Sequence, residues 1–207
     1  MEAKNSRDKL DDEIYALKNT LTITKFNSKN ASSEPSESLP GTLKDFYKSL
    51  SHLEYNWDTI ELVDESGIKL KGRINILKAE EVLHDWEGTV YFKDIDHYDY
   101  MENFKVVDYF VSEACVGYIH DENKSDYMRF LSLGDTEAKP LSLDFAGYIE
   151  LLFACRGFLY WQLVILNLRN GKGDESVVEK FKTYMPQIFP DFKWEEFVGL
   201  YERVRIK

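Results

Sequence analysis

Basic charge is scarce in this chain. Lys and Arg number 26 against 37 Asp and Glu, a net charge of −11. A negative surface repels phosphate backbones and anionic lipid headgroups, so nucleic acid and membrane are disfavoured as main ligands. The same charge favours a basic protein as partner, or serves solubility alone. Cysteine is also sparse. Cys115 and Cys155 lie in the apolar runs EACVGY and LLFACRGF, which suits buried free thiols better than the disulfide framework of a secreted domain. The first residues, MEAKNSRDKLDDEIYALK, hold no apolar run ahead of a cleavage site, so a cytoplasmic location is expected.

The motifs of common enzyme classes are missing. The four histidines, His52, His84, His97 and His120, are scattered and give no helical zinc-binding pair. Gly171-Lys-Gly173 lacks the upstream glycine and the following Ser or Thr of a phosphate loop and reads as a helix-ending turn. No G-x-S-x-G or G-x-G-x-x-G occurs. The segment Asp94-Ile-Asp96-His97-Tyr98-Asp99 looks metal-like but puts Asp99 where a calcium loop needs Gly, and Lys105 where it needs a bidentate Glu. No catalytic residue and no cofactor are assigned. With so many carboxylates an acid pair arises by composition, and a hydrolase built on one stays as an alternative without a motif.

Apolar and aromatic residues are plentiful: 43% hydrophobic, with 13 Phe, 13 Tyr and 4 Trp, enough to fill a sizeable core. Leu10, Ile14, Leu17 and Leu21 predict a first helix over 7–22, followed by a polar linker at 27–38 (NSKNASSEPSES). Residues 1–38 are therefore taken as a helix and linker, and 39–207 as the domain. Leu43, Phe46, Tyr47, Leu50 and Leu53 make one stripe of a short helix. Ile68, Leu70, Ile74 and Ile76 alternate with Lys69, Lys71 and Arg73, predicting a strand with the first set inward and the basic set in water. It pairs with 57–63 across 64–67. A short helix is expected at 78–86, and strands at 89–92, 104–110, 114–119 and 127–131.

The C-terminal third reads as helical: a long central helix over 143–167, then 177–185 and 194–201. Within the first, 148–166 is nearly a membrane span, but Glu150, Arg156 and Gln162 interrupt it, and a central charge costs roughly 2.5–3.5 kcal/mol to insert. It is expected to be the hub of the core, with Leu151, Leu152, Cys155, Leu159 and Trp161. Strands in the middle and helices at the ends predict α+β, a central mostly antiparallel sheet with helices packed on one face.

Leu39-Pro-Gly-Thr-Leu-Lys-Asp-Phe46-Tyr47 resembles the L-P-x-x-L-x-x-F-Y opening helix of the SUKH superfamily, which holds bacterial immunity proteins and a fungal regulator of cell-wall synthesis. Trp57-Asp-Thr-Ile-Glu-Leu62, Glu113-Ala-Cys-Val-Gly-Tyr118, Leu141-Ser-Leu-Asp-Phe145-Ala-Gly-Tyr148 and Arg156-Gly-Phe-Leu-Tyr-Trp161-Gln are similar to its later elements. The resemblance covers 39–165. It implies an α+β fold without catalytic residues, acting by protein binding. Many members are believed to neutralise toxins, often nucleases, by tight binding. An acidic inhibitor suits such basic partners, with a scaffold or regulator of the same fold as the alternative. The candidate partner-binding residues are Asp94, Asp96, Tyr98, Asp99 and Tyr100, joined by Asp121 and Glu122. They combine aspartate charge for steering with tyrosine contact area.

Overall fold

The period-two stretch around Ile74 becomes an interior strand of one seven-stranded antiparallel sheet. The computed structural model describes residues 36–92, 99–120, 126–132, 134–135, 137–171 and 174–207, together with 21–30, Asp8 and Asp12; at 21–26, 28, 30, 99 and 100 it describes the backbone alone. The strands are β1 (Leu21–Asn30), β2 (Leu50–Val63), β3 (Lys69–Ile76), β4 (Phe104–Val111), β5 (Ala114–Ile119), β6 (Arg129–Ser132) and β7 (Lys139–Pro140). Each neighbours the next in sequence, and every pairing is antiparallel. The helices are α1 (Gly41–Ser49), α2 (Ala79–Val82), α3 (Phe145–Ala154), α4 (Trp161–Asn170), α5 (Glu175–Ile188) and α6 (Trp194–Val204). The α+β class is as expected.

Register assigns the two faces. Leu53 pairs with Ile76, Tyr55 with Ile74 and Trp57 with Gly72, and all six are buried. Against this face pack the main helices. Phe46 of α1 meets Phe145 of α3, Trp57 meets Phe189 just past α5, and Phe181 of α5 touches Phe158, Phe192, Trp194 and Phe197. Asp144 caps α3 by accepting the Gly147 N–H, and Asp174 caps α5 by accepting the Ser176 N–H, each meeting donors that a helix start leaves unpaired.

Several expectations are corrected. The linker expected from residue 27 begins as strand: 21–30 is β1, hydrogen-bonded to β2. The expected first helix keeps Asp8 and Asp12 as helical but gives up its end, Leu21 and Thr22, to β1. The stretch Thr22-Ile-Thr24 favours extended backbone, and the polar residues after it suit the edge position β1 holds in the sheet. Leu50 and Leu53 belong to β2, because the chain turns extended at Leu50. Ile68 is 56% exposed. It lies in the hairpin, where Asp64 Oδ1 accepts its N–H at 2.9 Å and that of Ser66 at 3.0 Å. The helix expected over 78–86 closes after Val82. The expected strand at 89–92 is a turn, with the Gly88 N–H bonded to the Tyr91 carbonyl and a single bridge from Glu87 to Tyr91.

The largest correction concerns 143–167, which is two helices. Arg156, Gly157 and Tyr160 take positive φ, and this linker runs along the free edge of β3: Arg73 N–H donates to Gly157 O and Leu159 N–H to Lys71 O. It stands in for a strand where β3 and β4 diverge, their described register being Ile76 with Asp108. Leu151, Leu152, Cys155 and Trp161 are fully buried and Leu159 partly so. No helix among the described residues is long and apolar enough to cross a membrane.

Candidate binding site on the open sheet face

The sheet face away from the main helices is covered at β4–β6 by the described parts of the chain between β3 and β4. Sequence makes this connection adhesive. Val82 and Tyr91 are buried anchors, and Trp86 packs on Tyr109 of β4 with ring centroids 5.8 Å apart. Asp85 fixes its turn by accepting the Glu87 N–H at 3.0 Å and the Tyr91 hydroxyl at 2.5 Å. Burial and that carboxylate push the Tyr91 phenol well up. The Lys105 ammonium donates to the His84 carbonyl, tying the connection to β4.

Beneath it lies a cavity of about 320 Å³. Val90, Phe92 and Met101 from the connection and Tyr109, Cys115 and Leu131 from the sheet form most of its walls. Thr89, Ser112, Glu113, Ser132 and Asp135 also line it. Glu113 holds the turn between β4 and β5, and its two carboxylate oxygens accept from the Tyr160 hydroxyl at 2.7 Å and from the Ser112 hydroxyl at 2.9 Å. These two bonds, the first above all, hold the Glu113 carboxyl below its ordinary range. Asp135 is paired with Lys139 at 2.9 Å.

Cys115 does not read as a nucleophile. Burial pushes its thiol up to about 12, so it stays protonated and packs as an apolar group. Burial raises the Cys155 thiol further, and both cysteines are free. Asp108, the most deeply buried carboxylate, accepts from the Tyr148 hydroxyl at 2.6 Å and the Asn75 N–H at 2.9 Å. It sits inside the β3–β4 junction. Among the described residues no group of three His, Cys, Asp or Glu is placed to hold a metal ion. A second, more open groove carries Arg156, Lys193 and Arg203, each paired with a carboxylate: Asp191, Glu196 and Glu150.

Of the residues expected to bind a partner, Asp94, Asp96, Tyr98, Asp121 and Glu122 lie outside the described residues. Asp99 and Tyr100 open the 3-10 turn Asp99–Asn103 that leads into β4. The His120 N–H donates to the Asn103 carbonyl at 2.8 Å. The chain entering β4 and the chain leaving β5 thus meet at one end of the sheet, so the flanks of both acidic segments adjoin. The sequence carries no signal for the cavity, because its walls come from segments far apart in the chain. In the sequence Glu113 is only the first residue of an apolar strand motif. Comparison with protein-family models, with curated proteins and with solved structures gave no match.

Proposed function

We propose that this chain is a non-catalytic binding protein of the cytoplasm that recognises a basic protein through the open face of its sheet. One observation carries the reading. The connection over 78–103 contains eight carboxylates against two lysines, and its described parts lie on the sheet face that the main helices leave uncovered. It also brings Trp86, Tyr91, Phe92, Tyr98 and Tyr100, side chains that supply contact area at modest entropic cost. Acidic charge on a scaffold-held loop steers a cationic partner and rejects anionic ones. The SUKH resemblance gives the reading its specific form: an immunity protein that neutralises a nuclease-type toxin by direct binding.

The immobilised chain, exposed to a lysate at low and then physiological salt, tests this against a matched D94N/D96N/D99N variant. A basic protein retained by the first and lost by the second is the expected result. Retention of the same proteins by both, or of none that is basic, overturns the reading.

A further inference from the structure

We propose that Asp108, Tyr148 and Gln162 form a buried proton switch, a hydrogen-bond chain that points toward Asp108 while its carboxyl is charged and reverses when the carboxyl takes a proton. The inference goes beyond the binding-protein reading and needs no partner.

The geometry supplies a chain with one direction. Asp108 is fully buried. Its Oδ1 accepts the Asn75 N–H at 2.9 Å, and its Oδ2 accepts the Tyr148 hydroxyl at 2.6 Å. The Tyr148 oxygen in turn accepts from Gln162 Nε2 at 3.2 Å. Every donor therefore points toward the carboxylate. At the far end Gln162 Oε1 is buried and has no partner among the described residues, so Tyr148 is what orients the amide.

A proton on Oδ2 turns that oxygen into a donor. It then donates to the Tyr148 oxygen, the Tyr148 hydroxyl turns away, and a half-turn of the Gln162 amide brings Oε1 round to accept from it. Both directions make the same bonds in number, so what separates them is one buried negative charge. No cation pairs with that charge among the described residues. The titratable groups facing Asp108 are Tyr148 of α3, Tyr47 of α1 and Cys115 of β5. Burial pushes all three up, so they stay neutral. From β3 and α4 come Asn75 and Gln162, which do not titrate. Burial also pushes the Asp108 carboxyl up, to about 6, which brings the change close to neutral pH.

The charge reaches the sheet as well. Where β3 and β4 diverge, the Asp108 side chain takes the Asn75 N–H, and Asn75 Nδ2 donates to the Tyr109 carbonyl at 2.9 Å. Hydrogen bonds to an ionised acceptor are about twice as strong as neutral ones. The proton therefore weakens this side-chain stitch between the two strands.

The test is an NMR titration of the full chain from about pH 4.5 to about 8. It follows the Asp108 carboxyl carbon, the Gln162 side-chain amide and the Asn75 backbone amide. All three should move with one midpoint near 6, and the contact between the Gln162 amide protons and the Tyr148 ring should weaken below that midpoint. Asp108→Asn, whose amide donates as the protonated acid does, should hold the Gln162 signals near their acid position at every pH. If that variant does not fold, the wild-type titration decides alone. A Gln162 amide that stays still while Asp108 titrates, separate midpoints for the two, an Asp108 carboxyl that keeps one state throughout, or Gln162 signals at their alkaline position in Asp108→Asn would overturn the switch.

Discussion

The indole N–H of Trp57 donates a 2.8 Å hydrogen bond to the carbonyl oxygen of Arg156, 99 residues along the chain. That bond joins the middle of β2 to the linker between α3 and α4, over the top of Gly72. A Cβ on Gly72 would lie 2.1 Å from the indole, closer than any packed pair allows. Gly72→Ala should therefore displace Trp57 and cost about 1–3 kcal/mol from overpacking, plus the penalty of an unpaired Arg156 carbonyl, again about 1–3 kcal/mol. Urea unfolding measures the sum. An unchanged midpoint would mean the indole has a second place to go.

A pair of matched substitutions checks the register of β3. Ile74 is fully buried opposite Tyr55, whereas Ile68 is in the hairpin turn. Ile74→Asp puts an unpaired carboxylate in the core and should destabilise by several kcal/mol. Ile68→Asp should stay within about 0.5 kcal/mol, as surface changes do. If thermal melts of the two variants shift by similar amounts, the hairpin is placed wrongly.

Ile68 also marks where the sequence stopped being informative. Alternation identified the strand and its inward set because burial on one face repeats every two residues. It had no means of telling the first apolar residue of a strand from the last residue of a turn; the Asx contacts of Asp64 decide that. The α3–α4 break was hidden for a related reason. LLFACRGFLYWQLVIL is apolar throughout, so its period carried no signal, and Gly157 was the lone mark of a turn. The Gly157 Cβ position lies 2.4 Å from Ile74 Cγ1, a constraint visible only once β3 and the linker are side by side. The cavity was illegible for the same cause, since Tyr109, Cys115 and Met101 meet only through the fold.

Asp108 gives stability a pH dependence opposite to that of most carboxylates. Burial raises its pKa from 3.8 to about 6, against the lowering effect of the Tyr148 and Asn75 hydrogen bonds. Between these two values the folded chain holds a proton that the unfolded chain has released, so stability falls as pH rises from about 4 to about 6 and is level above. The full effect is about 3 kcal/mol. Asp108→Asn removes it: the amide keeps an acceptor for the Asn75 N–H, and the Tyr148 hydroxyl can turn to Gln162 Oε1, which lacks a partner. The difference in unfolding free energy between wild type and variant, followed across pH 4–7, should decline and then flatten. A constant difference would show that Asp108 does not titrate in that window.

The last expectation concerns rate. An acidic connection that steers a basic partner acts before contact forms, so its charges belong to the association constant more than to the dissociation constant. Electrostatic steering lifts association from about 10⁵–10⁶ to as much as 10⁸–10⁹ M⁻¹s⁻¹ at low salt, and at physiological ionic strength screening beyond about 8 Å removes much of that gain. D94N/D96N/D99N should therefore slow association several-fold at low salt, flatten its dependence on salt and leave thermal stability unchanged. Stopped-flow mixing at two salt concentrations, followed by a chase with unlabelled protein, separates the two constants. Unaltered association of the triple variant at low salt would remove the connection from the steering role.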